Sequence, residues 1–211
     1  MSVTGLQEYV RFLVTLTAVL DPFLAVPIFL ALTASRSASS RAALVRAVAI
    51  AVFAVLAAAA LLGDAILTLI GASLAAFRVG GGLVLLLMAL AMLSAKAGGL
   101  RQSREEAEEL ESGELSGVVP LAVPLLAGPG AISTTIIAAQ KGGAAHLAAI
   151  LACIAVVSLL TWLVLRAADA IGGRLGTTGL NIATRLLGLL LAALAIQTMA
   201  EGLKGLFPGL A

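Results

Sequence analysis

With 211 residues, 61% of them hydrophobic and only 11% charged, the chain cannot cover a soluble globular surface, which draws on roughly 25% charged residues. Its mean hydropathy is +1.14. The formal charge of +2 is spread singly along the chain rather than gathered in a patch, which excludes a nucleic-acid reading and leaves a lipid bilayer as the partner surface.

A spanning helix needs roughly 20 mainly apolar residues. The charges bracket long uncharged runs, and these predict six transmembrane helices at 9–33, 44–70, 77–95, 117–140, 146–166 and 183–206. The apolar stretch of the first, which Glu8 and Arg11 precede, is too long for a signal-peptide core and has no A-x-A site after it, so this span is expected to be retained. Asp21-Pro22 stands halfway between its flanking charges, Glu8 and Arg36. The third opens on Arg78 and on Gly80, Gly81 and Gly82, small residues that let helix backbones approach closely in lipid. Between the third and fourth spans, Lys96–Ser116 carries Glu105, Glu106, Glu108, Glu109, Glu111 and Glu114, a clustering that reads as a solvated linker. The fourth span carries Gly128-Pro129-Gly130 at its centre, midway between Glu114 and Lys141, with Ser133, Thr134 and Thr135 one turn later. In the fifth, Cys153 is the only cysteine, so no intrachain disulfide or cysteine metal site is expected. His146 lies at the end of that span, where an interfacial polar role fits. The connections after spans one, three and five hold nine Lys and Arg against four on the other side, which predicts that they are cytoplasmic and that both termini face outward.

The chain reads as one transmembrane domain of two similar halves, 1–95 and 117–211, joined by the acidic linker 96–116. Pro22 and Pro129, Arg78 and Arg185, and Gly81 and Gly188 each stand 107 residues apart. FRVGGGLVLLLMALAM in the first half aligns with TRLLGLLLAALAIQTM in the second. Three spans per half is an odd number, so the halves insert with opposite orientation. Inverted repeats of this kind recur in secondary transporters, with the substrate held near the midplane where the repeats meet. The expected fold class is therefore an all-α membrane protein of six helices in two inverted three-helix repeats, the first helix of each broken at mid-membrane. The two breaks are expected to face one another.

The chemistry is expected at those breaks. Proline removes a backbone donor and glycine loosens the chain, so each break leaves two half-helix ends at mid-depth. The end after each proline is partially positive and suits a carboxylate, and the end before it suits a cation. A zwitterionic amino acid offers both. Asp21 is the one acid near the midplane, where charge is costly and a functional role is the default. It suits a substrate ammonium or a proton, or serves as the cap of the second half-helix. Thr15, Thr17, Ser133, Thr134 and Thr135 either line a polar cavity or bond back to carbonyls of their own helix. Gln197 and Thr161 favour contacts between helices, and Arg78 and Arg185 read as snorkelling ends, with Asp64 and Asp169 as weaker partners. An enzyme is not expected: His146 is the only histidine, and no metal cluster or cofactor motif appears.

The string VPLAVPLLAGPG, Val119–Gly130, resembles the MarC family of bacterial and archaeal membrane proteins. The resemblance extends to Asp21-Pro22 with Pro27-Ile28-Phe29, the glycine pair of span three, and Arg185-Leu186-Leu187-Gly188. Leu24 stands where family members often carry glycine. The resemblance implies six spans in two inverted repeats. Through the SnatA branch it implies a proton-driven or proton-sensitive transporter of small neutral amino acids such as glycine and alanine in the cell inner membrane. It places substrate binding at Asp21, Pro22, Gly128, Pro129 and Gly130, with Ser133 and Thr134 beside them. The alternative is a water or small-solute channel, which shares six spans and inverted halves but carries its prolines on re-entrant half-helices.

Overall fold

The computed structural model describes residues 3–34, 36–94, 126–140 and 142–210. The chain enters through α1 (Val3–Leu20) and, after one residue, continues as α2 (Pro22–Thr33). Then come α3 (Ala38–Leu69), α4 (Leu74–Leu93), α5 (Pro129–Ala139), α6 (Ala144–Arg166) and α7 (Ala168–Leu206), closed by a 3-10 turn at Pro208–Leu210. Among the described residues, five segments are long and apolar enough to cross a membrane: Leu6–Leu30, Ala38–Leu69, Leu74–Leu93, Ala144–Arg166 and Thr178–Leu206. The shorter α5 is the described part of the expected fourth span. Residues 117–125 of that span, with the acidic linker 96–116, lie outside the described residues.

Local sequence explains the helix ends. Ser37 and Ser73 cap α3 and α4, each hydroxyl accepting from the backbone N–H three residues on. The turn between these helices passes through Gly71 at φ +69, a conformation that glycine adopts without strain. The last span, expected at 183–206, is found at Thr178–Leu206, and a separate helical stretch that begins at Ala168 precedes it. Arg174 and its neighbouring glycines belong to that preceding stretch, which is broken from the span at Gly176, where φ +59 and ψ −176 are not helical. Asp169, exposed at the start of α7, pairs with Arg41 of α3 at 2.9 Å rather than with Arg185.

The bundle is built around α4 and α7, whose contact is the most extensive among the described residues. Glycines bring the two backbones together. A Cβ on Gly82 would lie 3.0 Å from the Ala195 carbonyl oxygen, one on Gly188 2.8 Å from Met92 Cβ, and one on Gly202 2.7 Å from the Ala75 oxygen. Positions rising along α7 thus face positions falling along α4, so the two helices run antiparallel. Around this pair, α2 packs on α7 and α6, α5 packs on α4 and α3, and α3 lies along α6. The buried side chains Leu16, Leu20, Phe29, Leu56, Leu85, Leu126, Ile154 and Leu191 join into one core. Large aliphatic side chains elsewhere on α3, α4, α6 and α7 face outward, as the lipid-facing surface of spanning helices does.

Candidate functional site

Asp21 is the hinge between α1 and α2 and is 0% exposed. Its φ of +41 is left-handed, which ends α1; aspartate is among the few non-glycine residues that tolerate it. The Asp21 N–H closes α1 by donating to the Thr17 carbonyl at 3.0 Å. Its own carbonyl and its carboxylate oxygen Oδ1 both accept from the Leu24 N–H, at 3.1 and 3.3 Å. Asp21 therefore caps α2, with Pro22 in the first helical position, where its missing donor does no harm. This fits the cap reading and leaves the carboxylate at the positive end of a half-helix.

The second junction repeats the design with glycine. Gly128 is extended and caps α5, Pro129 again takes the first helical position, and the Gly128 carbonyl accepts from Ala131 and Ile132. Gly130 lets this first turn sit against α4, for a Cβ there would lie 2.5 Å from Met88 Sδ. Gly81 of α4 in turn receives Ser133, whose Cβ would be 3.0 Å from an added Cβ. Both junctions are buried in the same core, through Leu20 and Ala25 on one side and Leu126, Ala127 and Ala131 on the other.

The hydroxyls divide into two groups. Ser133 donates back to the Gly130 carbonyl, Thr15 to Arg11 and Thr161 to Val157, all within their own helices. Thr134, 8% exposed, and the fully buried Thr135 present hydroxyls without a hydrogen-bond partner. Thr134 lines a cavity of about 110 Å³ between α1, α4, α5, α6 and α7, on the face that carries the start of α1. A single water needs roughly 10–15 Å³ measured this way, so the space admits several waters or one small solute.

Glu8, Arg11 and Thr15 from α1 and Gln197, Thr198 and Glu201 from α7 make the rest of its polar lining. Gln197 donates to Glu201 on its own helix rather than across to a neighbour. A guanidinium and two carboxylates around a hydroxyl-floored cavity offer partners for both ends of a zwitterion. Of the sequence-predicted site residues, Thr134 lines this cavity, whereas Asp21, Pro22, Gly128, Pro129, Gly130 and Ser133 do not. The sequence reading counted Thr15 among its lining candidates, weighed Gln197 chiefly as a contact between helices, missed Thr198 and Glu201, and took Glu8 and Arg11 only as span-end charges. The signal lay in spacing: 8, 11 and 15, like 197 and 201, fall on single helix faces.

His146 closes the same end of the bundle. A carbonyl can only accept, so His146 Nε2 donates to the Ala138 oxygen at 2.9 Å, and in the neutral ring Nδ1 accepts from the Tyr9 hydroxyl at 3.0 Å. The ring thereby satisfies a last-turn carbonyl of α5 and ties α5 to α1 and α6. Among the described residues no group of His, Cys, Asp and Glu could hold a metal ion.

The sequence profile described as "MarC family integral membrane protein" matches residues 6–207. The UPF0056 membrane protein YhcE of Escherichia coli (strain K12) is 38% identical over 96% of this chain and 94% of its own length. The UPF0056 membrane protein YvbG of Bacillus subtilis (strain 168) is 39% identical over 94% and 95%. The archaeal UPF0056 membrane protein MJ1677 of Methanocaldococcus jannaschii is 34% identical over 95% and 98%. No solved structure matches the chain. Five segments among the described residues long and apolar enough to cross a membrane, two buried proline junctions and a family profile covering nearly every residue lead to one conclusion: the chain is a multi-pass integral membrane protein and belongs to the MarC family.

Proposed function

We propose that this protein is a secondary transporter of small neutral amino acids of the glycine and alanine class, coupled to protons and working by alternating access between two inverted repeats. The observation that carries the reading is the pair of buried Xaa-Pro junctions, Asp21-Pro22 and Gly128-Pro129, each opening a half-helix inside one core. The positive ends of α2 and α5 suit the substrate carboxylate, and the Asp21 carboxylate suits its ammonium or the coupling proton.

The packing supports the inverted repeat. The residues of α4 and α7 that correspond by the 107-residue offset lie on antiparallel helices. The contacts of α2 with α7 and α6 are matched by those of α5 with α4 and α3. The cavity at Thr134 lies one turn beyond the second junction, and its volume of about 110 Å³ is sufficient for a solute of this class. In this reading the protein sits in the cell inner membrane with both termini outside.

Counterflow tests the function. Liposomes holding purified protein and excess unlabelled glycine should take up labelled glycine or alanine saturably, and large neutral amino acids should compete poorly. Non-saturating flux, or osmotic swelling without exchange, would assign a channel instead.

A further inference from the structure

Three arginines converge at the end of the bundle opposite the start of α1. Arg41 and Arg46 from α3 and Arg166 from the end of α6 line a cavity of about 420 Å³ together with Phe29, Trp162 and Asp169. Three guanidinium groups against one carboxylate leave an excess of two positive charges. Asp169 is committed to Arg41, which also lies over the Phe29 ring at 5.7 Å. Arg46 and Arg166 have no acidic partner among the described residues. Arg166 is stacked over Trp162 at 5.0 Å, which holds its planar fork at the rim. Such a crown suits a phosphate, which guanidinium groups bind through paired N–H donors.

The surface below the crown indicates which phosphate. Thirty-two residues at about 1.5 Å each make α3 roughly 48 Å long, longer than a hydrocarbon core of roughly 30 Å, and Arg41 and Arg46 mark its first turns as the part suited to the headgroup layer. From Arg46 an exposed apolar stripe descends α3 through Ile50 and Phe53. A second descends α6 from Arg166 through Leu163, Leu159 and Val156. Both follow the spacing of three or four residues that stacks side chains on one helix face. The two helices lie side by side. A soluble anion would use the crown alone, whereas a phospholipid uses the crown for its headgroup and the two stripes for its acyl chains. The tryptophan at the junction marks the interface depth where such headgroups lie.

We propose that Arg41, Arg46 and Arg166 form a binding site for the phosphodiester headgroup of an anionic phospholipid, whose acyl chains run down α3 and α6. The site is separate from the transport reading and stands or falls without it.

Trp162 is the only tryptophan in the chain, so its fluorescence reports the site directly. The purified full-length protein in detergent micelles is titrated with brominated phosphatidylglycerol and, separately, with brominated phosphatidylcholine. Half-quenching should come at a mole fraction at least tenfold lower for the anionic lipid. In an Arg46→Gln/Arg166→Gln variant the two lipids should quench alike, whereas Arg174→Gln, outside the cavity, should keep the preference. Inorganic phosphate should not reverse the quenching. Equal quenching of the wild type by both lipids overturns the site. Reversal by phosphate makes it a soluble-anion site, and an equal loss in Arg174→Gln makes the preference a diffuse charge effect; either overturns the proposal. If the double variant fails to show a normal helical circular dichroism spectrum, the wild-type lipid comparison and the phosphate competition decide.

Discussion

Gly82→Ala should destabilise the protein although alanine is the better helix former, and Gly80→Ala, two residues away, should not. A Cβ on Gly82 would meet Met199 Cγ at 2.5 Å and both the Ala195 oxygen and the Met199 nitrogen at 3.0 Å. Ordinary carbon contacts are about 3.5–4.0 Å. The Met199 side chain can rotate aside, but the two backbone atoms move only with α7, so the central helix pair must part by a few tenths of an ångström. Overpacking of this kind costs about 1–3 kcal/mol, while alanine returns about 1 kcal/mol of helix propensity. A Cβ on Gly80 meets nothing within 4 Å, so only the propensity gain remains. The difference between the two variants cancels propensity and isolates the steric cost, at about 1–3 kcal/mol. Reversible unfolding by a denaturing detergent in mixed micelles, followed by circular dichroism, measures it. Equal midpoints for the two variants would refute the claim that glycine sets the α4–α7 distance.

Asp21→Asn should keep stability within about 0.5 kcal/mol, since asparagine also caps helices and tolerates positive φ, while Asp21→Ala should lose about 2–3 kcal/mol from the cap and the left-handed backbone together. In liposomes Asp21→Asn should retain glycine exchange yet lose pH-driven accumulation; wild-type accumulation would reduce Asp21 to a structural cap. Thr134→Val removes a buried hydroxyl that has no partner, so stability should hold or rise by up to about 1 kcal/mol. The half-saturating glycine concentration in counterflow should rise several-fold at the same time, and an unchanged value would remove Thr134 from the substrate path. Tyr9→Phe deletes the hydrogen bond to His146 and should cost about 1 kcal/mol in the same unfolding assay; no change would mean the hydroxyl is solvated equally well.

Much of the helical layout was legible because charges bracket the spans, and the Asp21 hinge because proline follows an acid at the middle of an apolar run. The glycines of span three were legible only as a class. Which of Gly80, Gly81 and Gly82 meets α7, which meets Ser133 and which meets nothing depends on the rotation of α4, and that is a tertiary fact. The last span was legible, whereas the helical stretch from Ala168 to the kink at Gly176 was not, because Arg174 and its neighbouring glycines look like a loop. The cavity at Thr134 was half legible. Its threonine stood beside the second break, but Glu8 and Arg11 resembled ordinary span-end charges, and Glu201 drew no reading, until the fold brought α1 and α7 to one mouth. Likewise, nothing in the sequence pairs Arg41 with Asp169 across 128 residues.

The most direct test of the central claim is accumulation. Liposomes containing purified protein, equilibrated with labelled glycine and then exposed to an acidic exterior, are followed for internal label. A proton-coupled transporter must raise internal glycine above the external concentration, and collapse of the gradient by a protonophore must release it. Internal glycine that never exceeds the external concentration under either polarity of pH gradient would contradict proton-coupled transport of this substrate class.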